Sequence, residues 1–180
     1  TFMALGATIC KAELNVIDMD RHYYQQHSLI LAQHPSETDE RLMVRLVVFA
    51  LHASESLSFT KGLSTDEEPD LWQKSLTDDI ELWIELGLPS EKRLKKACGR
   101  SQQVIVYTYG SGSAEQWWKQ IQAPLKRFKN ISVYHINTEI TDALAKRVQR
   151  AMDVQISLQD GEITWDSDDQ NLSFTTEKLC

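Results

Sequence analysis

Apolar and polar residues alternate at the start of the chain, where Lys11, Glu13 and Asn15 separate Cys10, Ala12, Leu14 and Val16. A period of two predicts a half-buried strand. The chain then turns over 17–21 and returns as a strand over Ser28–Ala32. His34-Pro35 stops it, because the residue before proline avoids helical geometry. The period changes over 36–53, where Leu42, Met43, Leu46, Val47, Phe49 and Ala50 form a wide apolar stripe behind a capping-box-like start, Ser36 with Asp39. That pattern predicts a helix. Next come a short strand at Leu57–Thr60, a strand at Ile80–Leu86, and a helix from Pro89-Ser90 to near Arg100. Val104–Tyr107 is a continuous apolar run, as expected of a strand covered on both faces.

A third helix opens at Ser113 with Gln116, carries Trp117 and Trp118, and is interrupted at Pro124. Ile131–Ile136 reads as a strand and 138–151 as an amphipathic helix. The chain closes on a hairpin, in which Val154, Ile156 and Leu158 lead through Asp160-Gly161 into Ile163 and Trp165. Asp-Gly between alternating runs is the strongest short-range hairpin signal. The order gives an α/β fold, a mixed β-sheet flanked by helices with antiparallel hairpins at both chain ends. No repeat or linker interrupts it, so residues 1–180 read as a single domain.

The chain of 180 residues is long enough to bury a core without disulfides. Its longest apolar run, Leu46 to Leu51, is far short of the ~18 residues a membrane span needs. The N-terminal segment lacks the basic, apolar, small-residue order of a signal peptide, and Thr1 and Phe2 precede Met3, the expected initiator. Cys10, Cys98 and Cys180 are odd in number and show no metal-ligand spacing, which points to reduced thiols and a cytoplasmic protein. The net charge of −7 excludes a broad basic face of the kind that coats a duplex. A local basic strip stays open, because eight acidic residues are concentrated between Asp66 and Glu85.

Two of those acids stand out. Asp70 follows Pro69, and Glu85 sits in the apolar run Leu82–Leu86. Carboxylates from adjacent strands can share one hard divalent cation, which prefers oxygen ligands. The plainer reading is a turn acid and a solvent-facing strand acid. In a regular strand Trp83 and Glu85 share one face, and Leu82, Ile84 and Leu86 the other. Glu81 lies on the Glu85 face as an alternative second acid, with Asp66 and Glu68 as spare acids before the strand. Glu40 borders the stripe near Met43 and Val47, although the helix dipole alone favours an acid there. Glu37 and Arg41 read as an exposed i,i+4 pair. The run Lys92, Arg93, Lys95, Lys96, Arg100 can hold a phosphate backbone, but a solvated helix face is the commoner meaning of such a run.

Of Trp117 and Trp118, able to stack nucleobases, adjacent positions on a helix put one in the core and leave the other partly exposed. Gly110-Ser111-Gly112-Ser113 precedes a helix, as phosphate-binding turns do. It lacks their third glycine and lysine and reads as a flexible cap. No histidine pairs with a nucleophile, and Cys98 falls on an apolar helix face, so neither a Ser/His/Asp nor a Cys/His hydrolase is supported.

Pro69-Asp70 and Glu85-Leu86-Gly87, in this order of elements, resemble the restriction-endonuclease-like core of the PD-(D/E)XK nuclease superfamily. More closely, the stretches 34–41 (His-Pro-Ser-Glu-Thr-Asp-Glu-Arg), 59–63, 66–72, 82–89 and 95–98 resemble the YaeQ family, a bacterial group within that superfamily. The resemblance implies a Mg²⁺- or Mn²⁺-dependent nuclease or phosphodiesterase acting on DNA or RNA. Asp70 and Glu85 would hold metal with the Leu86 carbonyl, and Glu40 would supply an additional helix acid. The superfamily places lysine two residues after the second acid, where this chain has Gly87. Some members take it from the following helix, which here offers Lys92, Lys95 and Lys96. Lys95 flanks the apolar face about 100° from Leu94 and is the candidate. The alternative is a catalytically inactive nuclease-like module that binds nucleic acid or a protein partner near transcription, supported by Gly87 and the acidic net charge.

Overall fold

The computed structural model describes residues 6–60 and 67–180. In chain order the first elements are β1 (Thr8–Asp18), β2 (Tyr23–Gln33), α1 (Asp39–Leu51), β3 (Leu57–Phe59), β4 (Leu71–Lys74), β5 (Ile80–Leu86) and α2 (Glu91–Arg100). Then come β6 (Ser101–Tyr109), α3 (Gly112–Leu125), β7 (Ile131–Ile136), α4 (Thr138–Ala145), β8 (Ala151–Gln159), β9 (Glu162–Ser167), β10 (Gln170–Phe174) and β11 (Glu177–Lys178). The mixed α/β class follows from the sequence pattern, but the strands form two sheets. They belong to two compact units: residues up to Ala53 with Asp142–Thr175, and Ser54–Thr141 with Thr176–Cys180.

The first unit holds the sheet β10-β9-β8-β1-β2. Alternation along β1 buries Cys10, Ala12, Leu14 and Val16, while Lys11 and Glu13 stay exposed. β1 pairs antiparallel with β2 and parallel with β8. In the closing hairpin, Asp160 and Gly161 take φ of 51° and 80°, as a tight turn requires. The Asp20 carboxylate accepts both of their N–H groups, at 2.7 and 3.0 Å. Strand β10 extends this hairpin through a turn at Asp168 that the hydrophobic pattern does not mark. The helix expected to run to 151 ends at Ala145, because Ala151 already begins β8.

α1 starts three residues later than its sequence pattern suggests. Its N-cap is Thr38, whose hydroxyl accepts from the Arg41 N–H at 3.1 Å, while Ser36 hydrogen-bonds His34 Nδ1 at 2.7 Å. Every residue from Leu42 to Leu51 is buried, Arg45 included. The Glu37–Arg41 pair forms, but Glu37 is buried and Arg41 half-buried rather than exposed. Glu37 takes Arg41 Nη1 on one oxygen at 2.9 Å and Arg45 Nη2 on the other at 2.8 Å, and Arg45 Nη2 also reaches the Ala32 carbonyl at 3.0 Å. The spacing of charges showed the i,i+4 partner. It could not show that Arg45, one turn further, would turn inward and draw Glu37 with it.

The second unit holds the sheet β11-β7-β6-β5-β4-β3. β5, β6 and β7 run parallel, linked by α2 and α3, while β3, β4 and β5 form an antiparallel meander. Trp83, Leu94, Ala97, Val104, Ile121 and Leu125 are among the core residues between sheet and helices. Pro124 lies in the last turn of α3 and ends that helix rather than interrupting it. Trp117 and Trp118 are both half-buried against this core, and Cys98 packs at its margin instead of inside it. No helix among the described residues is long and apolar enough to cross a membrane.

Removing one partner of a buried ion pair leaves the other charge uncompensated. Glu37→Ala is therefore expected to destabilise the protein by about 3–5 kcal/mol, read as a lowered midpoint in urea unfolding. A loss no larger than that of an exposed salt bridge would contradict the buried role of Arg45.

Candidate carboxylate site

Asp70 and Glu85 come together in the second unit because β4 and β5 are antiparallel neighbours, with Leu71 opposite Ile84 and Trp72 opposite Trp83. Asp70 stands just before β4. Its N–H donates to the Ile84 carbonyl at 3.0 Å, and its Oδ2 accepts the Leu86 N–H at 2.8 Å. The Asp70 carboxylate is thus fixed alongside the strand that carries Glu85. Upstream, the Thr60 hydroxyl donates to the Pro69 carbonyl and the Thr60 N–H to Asp70 O, which holds the approach to the site. Leu86, expected to offer its carbonyl, also engages Asp70 through its amide.

Both carboxylates are buried, Asp70 at 3% and Glu85 at 4% exposure. Glu85 shares the Trp83 face, as the strand period requires, but that face is covered. Its Oε1 accepts from Trp83 Nε1 at 2.8 Å and from Arg93 Nε at 2.7 Å. Burial, followed by the neighbouring Asp70 charge, raises the Glu85 carboxyl to about 7, and the Arg93 guanidinium and the two hydrogen bonds only partly offset this. Glu81 is half-buried and accepts from Gln73 Nε2 at 3.0 Å.

The cation at the site is Arg93. Its Nη2 also donates to the Glu68 carbonyl at 2.7 Å, which ties α2 to the segment leading into Asp70. Ser90 caps α2 by accepting the Arg93 N–H at 3.2 Å. The buried residues of α2 are Leu94 and Ala97. The centre of its buried face therefore lies about 70° from Arg93 and about 130° from Lys95 at 100° per residue. Cys98, expected on the buried face, is only half-buried, which turns that centre away from Lys95. Lys95 is exposed and makes no ion pair among the described residues. Arg93 is not a lysine and so falls outside the superfamily pattern, though the helical phase of Leu94 and Ala97 points to it.

Among the described residues no group of three or more His, Cys, Asp and Glu side chains is arranged to hold a metal ion. Of the three carboxylates expected at the site, Asp70 and Glu85 are neighbours in the second unit. Glu40 lies half-buried in the first turn of α1, in the first unit. Asp66 lies outside the described residues. Gly87 has φ of +94°, a region L side chains rarely adopt, and its N–H donates to the Tyr107 carbonyl at 2.9 Å. The backbone itself disfavours lysine at that position. The Gly110-Ser111-Gly112 turn lines a cavity of about 620 Å³ whose wall carries Glu115, Glu139 and Glu177, carboxylates that would repel a phosphate.

A mixed α/β fold with a buried pair of carboxylates, bridged to a helix by one arginine, defines the class of protein. The chain belongs to the YaeQ family, whose profile, described as YaeQ protein, matches residues 3–176. It is 47% identical over 169 residues to Uncharacterized protein YaeQ of Escherichia coli (strain K12), covering 94% of this chain and 93% of that one. The Salmonella typhi protein of the same name is 45% identical over the same length. The crystal structure of the YaeQ protein from Xanthomonas axonopodis pv. citri superposes with a TM-score of 0.93 at 47% identity, covering 96% of this chain and 98% of the other. That of the Pseudomonas syringae YaeQ protein gives 0.93 at 33% identity, covering 97% and 96%.

A carboxyl at about 7 in the folded protein, against an ordinary value of 4.5, keeps a proton that the unfolded chain has released. Its contribution to stability is complete below pH 4.5 and is lost as pH rises through 7. In the presence of chelator, unfolding free energy should fall by roughly 3 kcal/mol over that interval relative to Glu85→Gln. Parallel pH profiles of the two proteins would contradict it. Gly87→Lys should cost about 1–2 kcal/mol through its positive φ, measured by thermal unfolding.

Proposed function

We propose that this protein is a divalent-metal-dependent phosphodiesterase of the nuclease type, acting on nucleic acid in the cytoplasm. The observation that carries the reading is the buried Asp70–Glu85 pair with Arg93 on Glu85. The donor set suits Mg²⁺ or Mn²⁺: the carboxylates offer hard oxygens. Burial and the neighbouring Asp70 charge keep the Glu85 carboxyl raised even with Arg93 beside it, and a cation held by both carboxylates would offset the repulsion between them. When bound, such a cation polarises a phosphoryl oxygen and lowers the pKa of its water.

The protein's own groups supply alignment and charge. The Leu86 amide fixes Asp70, and the Trp83 indole and Arg93 fix Glu85, so the two carboxylates need little rearrangement to act together. Arg93 takes the part of the superfamily's lysine in offsetting phosphate charge. A guanidinium only donates hydrogen bonds and is no general base, so of these side chains Glu85 would be the one to take a proton from an attacking water. A second reading, an inactive nuclease-like module that binds nucleic acid or a protein, is favoured by Gly87 and by the Arg93–Glu85 ion pair, which gives Glu85 a structural task.

Mn²⁺ should raise the melting temperature of the native protein but not of Asp70→Asn. Metal-dependent cleavage of single- and double-stranded DNA and RNA should fall by about 10²–10³ in Glu85→Gln and in Arg93→Gln. Nucleic-acid binding without any metal response would favour the second reading. Full cleavage activity in Glu85→Gln would remove the first.

A further inference from the structure

α2 carries five basic residues, Lys92, Arg93, Lys95, Lys96 and Arg100, against one acid, Glu91, in a chain of net charge −7. Arg93 is taken up by Glu85. Lys92, Lys96 and Arg100 recur every four residues, so they form one stripe with about 6 Å of rise between neighbours, winding from the outer surface at Lys92 to the Trp83 ring at Arg100. That rise is close to the separation of successive phosphates along a single nucleic-acid strand.

The stripe already holds an anion. The Glu67 carboxylate meets Lys96 Nζ at 2.6 Å and Arg100 Nη1 at 3.7 Å, and Arg100 Nη1 also donates to the Glu67 carbonyl at 2.8 Å. The Glu67 side chain is 66% exposed. Ion pairs this open to water contribute little, so another anion can displace the carboxylate at small cost. The backbone does not depend on that side chain, because Arg93 and Arg100 hold the carbonyls of Glu68 and Glu67. Lys92 is exposed and makes no ion pair among the described residues. Three residues beyond Glu67 the same segment reaches Asp70, so the stripe adjoins the carboxylate site.

We propose that Lys92, Lys96 and Arg100 form a track for the phosphate backbone of nucleic acid, and that the Glu67 carboxylate occupies its Lys96–Arg100 position until a phosphate displaces it. The inference rests on the nucleic-acid reading above and adds where the strand lies and which group competes with it. Displacement leaves Glu67 solvated and turns an internal ion pair into an intermolecular one. Binding is then weakened in proportion to the competition.

The test is fluorescence anisotropy of short labelled single-stranded DNA and RNA in EDTA, across a salt series. Glu67→Gln should bind several-fold tighter than the native protein, with the log–log salt slope steeper by about one. Lys92→Gln combined with Lys96→Gln should bind more weakly, with a shallower slope. All three substitutions are at exposed positions, and circular dichroism melts check that folding is unchanged. Native binding that neither Glu67→Gln nor the lysine double variant alters would overturn the track while leaving nucleic acid as the partner. No binding by any variant, with Mn²⁺ stabilisation retained, would overturn the track while leaving the metal site standing.

Discussion

Two carboxylates buried side by side are costly unless something compensates them, and much of the second unit is arranged around that constraint. An ionised group taken from water needs hydrogen bonds or an opposite charge. Asp70 finds the Leu86 amide, and Glu85 finds the Trp83 indole and the Arg93 guanidinium. These partners come from different elements. The β4–β5 pairing supplies the amide, the strand period puts Trp83 on the Glu85 face, and the cap at Ser90 starts α2 in the phase that brings Arg93 in. Compensation is still incomplete, since Glu85 remains well above the usual carboxylate range. A fold optimised only for stability would replace such a pair with apolar side chains. That it is kept here is why we attach function to it.

α2 joins structure and chemistry. Leu94 and Ala97 bury one face against the sheet, which fixes the helix rotation. Fixed rotation then assigns the cations: Arg93 inward to the acids, Lys96 and Arg100 to Glu67, and Lys92 and Lys95 to solvent. Arg100 also lies over the Trp83 ring at 5.2 Å, so the residue that donates its indole N–H to Glu85 is covered from the helix side. A basic run that looks uniform in sequence thus divides into members with different tasks.

The first unit shows the same physics without an evident site. Glu37 is enclosed by Arg41 and Arg45, and Arg45 also satisfies the Ala32 carbonyl at the end of β2. This charge network fastens the start of α1 to its neighbouring strand. The carboxylate pair in the second unit differs from it in that burial and the Asp70 charge hold Glu85 well above the usual carboxylate range even with Arg93 beside it.

Much of this was determined by the sequence alone. Hydrophobic period placed β5 at its true bounds, as it did β7, and Asp160-Gly161 located the closing hairpin, because local backbone preferences govern these features. Pro69-Asp70 and Glu85 marked the acids. Tertiary structure decided the rest. Division into two sheets depends on which strands find each other across long stretches of chain, and periodicity carries no pairing information. Burial of Glu37 and Glu85 depends on arginines that fold over them. The choice of Arg93 over Lys95 turned on a helix rotation set by which apolar residues actually reach the sheet. A single sequence states which side chains are available; packing alone decides which charges lose their water, and those are the charges that can do chemistry.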